Sequence, residues 1–351
     1  FATVRFRMIE STGPARAVIA AGHPSTADAA RIAIEAGGNA FDAVIAAGFA
    51  ACVTEPVLAS LGGAGALVAR PAEGSAGVYD FSAQTPFIPR PIDEIEFVRT
   101  VVPFGTTTQE FHIGMGSAAI PGMVAGLFRV QRDLGSLPMP RLGEPAVELA
   151  RRGDEVNPLQ AYQIAITAGI YGRTPQTEAI YGSSCHDSGP VRAGEILRMP
   201  DLADTMELLG LRGAELLYGG ELGRVVSDYS LAHGGHLSLL DLARYYVKAR
   251  PPLTISYRDA TVLLNPPPAS GGALIAFSLK LLETRELGNL DPETAPWLAT
   301  LARVMDQTNR ARAAAYDGRE HDDEVAAAFL GDDHVADYAA ALAPAFEQRS
   351  G

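Results

Sequence analysis

Between His23 and Leu67 the sequence HPSTADAARIAIEAGGNAFDAVIAAGFAACVTEPVLASLGGAGAL leaves the backbone few options. Ser25 or Thr26 is placed to cap a helix with Asp28 in its first turn, and Gly37-Gly38 supplies the left-handed exit that ends many helices. Asn39 is a second cap. Asp42, three residues on, can accept bonds from free backbone N–H groups in a weaker relative of the capping box. The run from Ala43 to Val53 is almost wholly apolar, so this second helix is expected to be buried. Asp42, Glu55 and Pro56 interrupt it well short of the roughly 20 apolar residues a bilayer requires. Leu61-Gly62-Gly63-Ala64-Gly65 then feeds a short strand, Ala66 to Ala69, and glycines there let another backbone or a ligand come close.

Composition narrows the partners. With 351 residues and 47% hydrophobic content the chain has material for a sizeable core. Its formal charge is -13 and no basic stripe is concentrated anywhere, so neither nucleic acid nor an anionic membrane surface is expected as a partner. Cys52 in the apolar helix and Cys185 in a polar segment make neither a disulfide framework nor a metal-ligand spacing. His23, His233, His236 and His334 form no metal set, and Asp322-Asp323 and Asp332-Asp333 read as solvated surface charge. No metal or cofactor is therefore expected. No apolar leader core precedes the first predicted strand, which predicts a cytoplasmic location, and a start at Phe1 rather than Met predicts that preceding residues have been lost.

Val78-Tyr79-Asp80-Phe81 reads as a strand pairing with Ala66 to Ala69 across the turn-forming residues Arg70 to Gly77. From Arg90 to Gly116 the chain is Pro/Gly/Thr-rich and is expected to form a long, irregular, functional loop. Ser117 to Gly126 turns into a helix leading to Asp133, with Pro121 near its start. The stretch from about 145 to 242 is a helix-rich scaffold within one domain spanning 1–351. Leu253 to Tyr257 and Ala260 to Asn265 read as paired strands around Arg258-Asp259. Pro266 to Gly272 then breaks the strand before a helix near Ala273, with Ser270 as its cap and its N–H groups open to an anion. Another helix runs from Trp297 to Asp317.

The helix-pair block, SAAIPGMVAG at 117–126, PPPASGG at 266–272 and LGDDHV at 330–335, in that order, resemble the γ-glutamyltranspeptidase family over nearly the whole chain. Asp201 to Thr205, Gly219 to Leu222 and Leu239 to Ala243 are similar to family segments in spacing and serve as register markers. The resemblance implies an α+β fold, the αββα sandwich of N-terminal-nucleophile hydrolases, made as an inactive precursor and completed by a small subunit. In that chemistry a threonine hydroxyl attacks the preceding carbonyl, an N-to-O acyl shift yields an ester, and hydrolysis separates a large subunit from a small one beginning with Thr. The freed α-amine, with a reference pKa near ~8, activates the adjacent hydroxyl. Gly351 suits the residue before the cut, since glycine permits a tight turn and an uncrowded carbonyl. The chain is thus expected to be the large subunit, with no catalytic residue of its own and Thr immediately after Gly351. Its implied partners are the small subunit, a small-molecule substrate and further copies of the large/small pair.

One departure bears on the substrate. Where transpeptidases of the family read Asp-Phe-Arg-Glu-x-Ala-Pro, this chain has Asp80-Phe81-Ser82-Ala83-Gln84-Thr85-Pro86. The arginine implied to grip the α-carboxylate of a glutamyl group is replaced by Ser82. A guanidinium binds carboxylate through paired charged hydrogen bonds, and serine offers one neutral donor. The loss is about 1.5 to 3 kcal/mol per charged bond, one or more orders of magnitude in affinity. The acyl group is therefore expected to differ from ordinary γ-glutamyl, with Phe81, Ser82 and Gln84 in the pocket and Arg90 or Gln84 as candidates to compensate. A standard glutathione hydrolase with another carboxylate anchor remains an alternative. So do a biosynthetic hydrolase that, by resemblance, cleaves a C–C bond in making 4-alkylproline units of antibiotics, and a non-catalytic binding or scaffold protein.

Overall fold

The computed structural model of the chain describes residues 17–285, 291–292 and 294–342, so Gly351 and the expected cleavage point lie outside the described residues. The chain divides into two compact units, 1–65 with 81–247 and 66–80 with 248–351. Along the chain come α1 (Pro24–Glu35), α2 (Ala40–Thr54), β1 (Gly65–Ala69), β2 (Gly77–Phe81), β3 (Val98–Phe104), β4 (Thr107–Ile113), α3 (Met123–Leu134) and α4 (Met139–Arg152). The middle holds β5 (Asp154–Glu155), α5 (Pro158–Ile166), α6 (Ala168–Tyr171), α7 (Pro175–Tyr181), β6 (Ile196–Leu197), α8 (Pro200–Arg212), α9 (Glu215–Tyr218), α10 (Glu221–Ala232) and α11 (Leu239–Arg244). The remainder is β7 (Lys248–Arg250), β8 (Leu253–Tyr257), β9 (Ala260–Leu264), α12 (Ser270–Glu283), α13 (Ala295–Ala315), α14 (Val325–Phe329) and α15 (Asp332–Ala339). The strands form a sheet in the order β1-β2-β7 and the pairs β3-β4, β5-β6 and β8-β9.

Capping chemistry builds the first unit. The Asn39 side chain accepts from the N–H groups of Phe41 and Asp42, and Asp42 accepts from the Asn39 N–H at 2.8 Å, which completes a full capping box at the start of α2. Asp42 also receives the N–H and hydroxyl of Ser136 and the N–H of Leu137, so α2 is tied to the turn between α3 and α4. Burial by itself would raise the Asp42 carboxyl; bonds from Ser136, Asn39 and Leu137 outweigh it and hold the pKa below the ordinary value. Behind this cap α2 buries Ile45, Phe49 and Val53, each worth about 1.5 to 3 kcal/mol of transfer free energy. It packs against α1, α3 and α4, and α4 packs in turn against α8.

The start of α1 differs from the expected one. His23 is the cap, its Nδ1 accepting from the Ser25 N–H at 3.2 Å, because Pro24 takes the first helical position that proline favours. Ser25 and Thr26 lie inside the helix, where the Thr26 hydroxyl bonds that of Thr54 at 2.8 Å and joins α1 to α2. Gly37 leaves α1 with φ +90°. The stretch from Arg90 to Gly116 also departs from expectation: it is largely the β3-β4 hairpin, registered from Val98 opposite Ile113 to Phe104 opposite Thr107 around Gly105 at φ +69°. Its β-branched and aromatic residues favour strands, and Phe97 stacks on His112 with ring centroids 4.7 Å apart.

In the second unit β8 and β9 pair antiparallel from Leu253 opposite Leu264 to Tyr257 opposite Ala260. Helix α12 packs on this hairpin and on α13, α14 and α15, and Phe277 stacks on Phe329 with centroids 4.6 Å apart among buried Leu281, Val304 and Tyr316. Ser270, expected as a cap, is the first helical residue; Ala269 occupies the cap position and offers no side-chain bond. Close backbone approach locates this helix start, since a Cβ on Gly272 would lie 1.9 Å from the Asn265 carbonyl oxygen.

Candidate functional site

Strand β2 delivers Phe81 and Ser82 to the end of a sheet, and the two residues go opposite ways. The Phe81 ring is 5% exposed and fills the space left by two glycines: a Cβ would come within 2.7 Å of the ring from Gly65 and 2.3 Å from Gly126. The carbonyl of Phe81 lies over Gly122, where a Cβ would sit 1.9 Å from it. Ser82 is exposed, and its carbonyl accepts from the Tyr245 hydroxyl at 3.0 Å. Two residues on, Gln84 and Ile120 exchange backbone bonds of 3.2 and 2.8 Å. Phe87 then donates its N–H to Asp241 at 2.8 Å. Residues 81–87 thus form a strap whose backbone is fastened by four hydrogen bonds at Ser82, Gln84 and Phe87.

The fasteners are themselves fixed. Tyr218 stacks on Tyr245 with centroids 5.5 Å apart and donates to the Pro121 carbonyl at 2.8 Å while accepting from the Ala125 N–H at 3.2 Å. Burial pushes the Tyr218 phenol up to about 12, so it remains a donor at physiological pH. The glycine loop joins in: the Gly63 carbonyl accepts from the N–H groups of Gly122 and Met123 at 2.8 and 3.0 Å. Asp241 lies in a capping box with Ser238 at the start of α11. Burial would raise its carboxyl, but the Ser238 hydroxyl and the N–H groups of Phe87 and Ser238 hold it below the ordinary range.

Of the four residues marked from the sequence, Phe81, Ser82 and Gln84 share the strap, with Phe81 turned into the core, Ser82 outward and Gln84 engaged through its backbone. Arg90 is half-buried and turned aside, donating to the carbonyls of Leu231 at 3.2 Å and Gly235 at 2.8 Å and pairing with Glu94 at 3.3 Å. Sequence reasoning did not find Tyr218, Tyr245 or Asp241. Only Asp241 carried a signal: it lies in the Leu239 to Ala243 segment that served as a register marker, and Ser238 three residues before it completes a capping pattern that segment did not include. The glycine loop also borders a cavity of about 440 Å³ lined by Cys52, Leu61, Tyr181 and Met199, where burial pushes the Cys52 thiol up to about 12. Among the described residues no three His, Cys, Asp or Glu side chains gather into a metal site, and no helix is long and apolar enough to cross a membrane.

The architecture is mixed α+β and matches the fold of solved γ-glutamyltranspeptidases. A Helicobacter pylori γ-glutamyltranspeptidase superposes with a TM-score of 0.81 at 24% identity, covering 96% of this chain and 94% of that one. Residues 26–349 match the family described as Gamma-glutamyltranspeptidase, and the chain belongs to that family. It is 32% identical over 281 residues to the Acylase ACY 1 proenzyme of Pseudomonas sp. (strain SE83), covering 78% of this chain and 49% of the relative. It is 27% identical over 301 residues to the Glutathione hydrolase proenzyme of Bacillus subtilis (strain 168), covering 82% and 48%. The chain thus spans about half the length of these curated relatives.

Proposed function

We propose that the chain is the large subunit of an autoprocessed acyl hydrolase whose acyl pocket takes a group other than ordinary γ-glutamyl. The small subunit, beginning with a threonine after Gly351, completes the αββα sandwich and supplies the nucleophile. In processing, the threonine oxygen bonds to the Gly351 carbonyl carbon, the C–N bond breaks and leaves the α-amine, and water cleaves the resulting ester. In turnover that amine takes the hydroxyl proton as the oxygen attacks the substrate amide. The half-length match to two relatives named proenzymes supports the subunit reading. The name acylase on the 32% identical relative supports an acyl donor other than glutathione.

The observation that carries the substrate reading is the serine at the outward position of a strap fastened on every side, with Arg90 engaged by Leu231, Gly235 and Glu94. A fastened backbone cannot swing another residue into the place of the family arginine without breaking the bonds to Tyr245, Ile120 and Asp241. The test is p-nitroaniline release from γ-glutamyl-p-nitroanilide by the complete gene product, wild type and Ser82→Arg. Slow wild-type release and at least a tenfold gain in kcat/KM for the variant are expected. Rapid wild-type release defeats the altered pocket. Intact mass checks the processing: a single uncut polypeptide defeats the subunit reading.

A further inference from the structure

The cavity beside the glycine loop is bordered by two opposite charges that no described residue neutralises. It holds about 440 Å³ and takes its walls from α2, the segment 56–62, α7 and the start of α8. Cys52, Leu61, Ile180, Tyr181, Met199 and Leu202 make it mostly apolar, and none of its lining residues belongs to the strap. A space of this size, with apolar walls and a few placed polar groups, is the usual form of a small-molecule site. Arg198 and Asp201 both line it, both are exposed, and neither side chain has a hydrogen bond or an ion pair among the described residues. The neighbours of Asp201 along α8 show the contrast. Asp201, Asp204 and Glu207 recur every three residues, and Arg151 of α4 reaches across to Asp204 and Glu207, leaving Asp201 unjoined. The backbone under both charges is fixed. Arg198 follows the pairing of β6 with β5 and precedes Met199, whose N–H meets the Ala150 carbonyl at 2.9 Å, and its stem lies on Gly153, where a Cβ would come within 2.7 Å of the Arg198 Cγ. Asp201 is the second residue of α8.

We propose that this cavity binds a free α-amino acid with an apolar side chain. A cation and an anion held three residues apart on fixed backbone, and not joined to each other, fit a ligand that carries both charges itself. The ligand carboxylate takes paired hydrogen bonds from the Arg198 guanidinium, its ammonium donates to Asp201, and its side chain enters the apolar space lined by Leu61 and Met199. The two charges on one carbon exclude the interior of a peptide chain, where neither is present. The site abuts a working part of the fold: Leu61 and Gly62 stand at its wall, and the next residue, Gly63, holds the N–H groups of Gly122 and Met123 at the start of α3.

The experiment is calorimetry on the complete gene product with L-leucine, L-methionine and L-phenylalanine, each beside its amide and its N-acetyl derivative, which lack one charge apiece. At least one free amino acid is expected to bind, with both of its derivatives tenfold or more weaker. Arg198→Ala should erase the preference over the amide and keep the preference over the N-acetyl derivative, and Asp201→Asn should do the converse. Arg198→Lys should restore part of the first preference. Both side chains are exposed, so these variants should melt with the wild type. Ser82→Arg, on the strap, should leave the affinity within twofold. The proposal is overturned if none of the three amino acids binds at up to about 10 mM, if the derivatives bind as well as the parent, or if both preferences survive in both variants. Binding lost in Ser82→Arg overturns it too, since the amino acid would then occupy the acyl pocket. No arm uses an acyl donor, so rapid γ-glutamyl turnover defeats the altered acyl pocket and leaves this site standing.

Discussion

Asp42 and Asp241 are the same device in two regions. Each is a buried aspartate three residues after a cap, and each uses its carboxylate both on its own helix start and on a segment far away in sequence. Asp42 catches Ser136 and Leu137 through three donors, one of them a hydroxyl at 2.5 Å. Among the described residues Asp241 catches one distant donor, the Phe87 N–H. The number of distant donors tracks what is fastened: a scaffold turn under α2 in one case, the strap bearing Ser82 in the other. A helix cap thus serves as a long-range clamp whose strength is set by how many orphan N–H groups it receives.

The comparison can be broken most sharply at Asp42. Asp42→Ala leaves several buried donors without an acceptor and should cost about 3 to 5 kcal/mol, read from urea unfolding. The same variant tests pH dependence. Because the Asp42 carboxyl is held below its ordinary value, its stabilisation is fully present above the unfolded pKa near ~3.9 and is lost as pH falls through the lower folded value. The wild type should therefore lose stability on acidification below about pH 4 more steeply than Asp42→Ala; equal slopes would remove the carboxylate from the account.

Asp241→Ala should cost about 2 to 3 kcal/mol and, unlike the Asp42 variant, raise KM for the preferred donor in the mature enzyme, because Asp241 fastens the strap and Asp42 does not. A KM no different from wild type would mean that the strap does not border the substrate. The smallest effect belongs to Tyr245→Phe, which removes the hydroxyl bonded to the Ser82 carbonyl and keeps the ring stacked on Tyr218. It should cost about 1 kcal/mol in unfolding free energy. If that loss exceeds the loss in Asp241→Ala, the ranking of the two fasteners is wrong.

Legibility followed the range of the cause. The α2 cap, the Gly37 exit, the pairing of β1 with β2 and the β8-β9 hairpin each arise from residues within a few positions of one another, and their patterns could be read directly. At α1 the competing residue was also local: Pro24 preceded the expected caps and moved the helix start to His23. The β3-β4 hairpin was hidden by Pro103 and by a mostly exposed surface that blurs the alternation of faces. At the site, the substitution of Ser82 for arginine was visible against the family pattern, but its setting was not. Tyr245 lies 163 residues from Ser82 and Asp241 lies 154 from Phe87, and no periodicity encodes such pairs. Arg90 was close in sequence and still turned elsewhere, because the carbonyls at the end of α10 offered it a better-fixed set of acceptors.

The first turn of α3 faces its own glycine loop. Its leading N–H groups at Gly122 and Met123 already meet the Gly63 carbonyl, and that of Ala125 meets the Tyr218 hydroxyl. A helix beginning so near the strap would ordinarily be a ready source of positive dipole for a tetrahedral oxyanion. Those three N–H groups are already engaged by internal acceptors, so in the proposed acyl transfer they are not free to stabilise a developing negative charge.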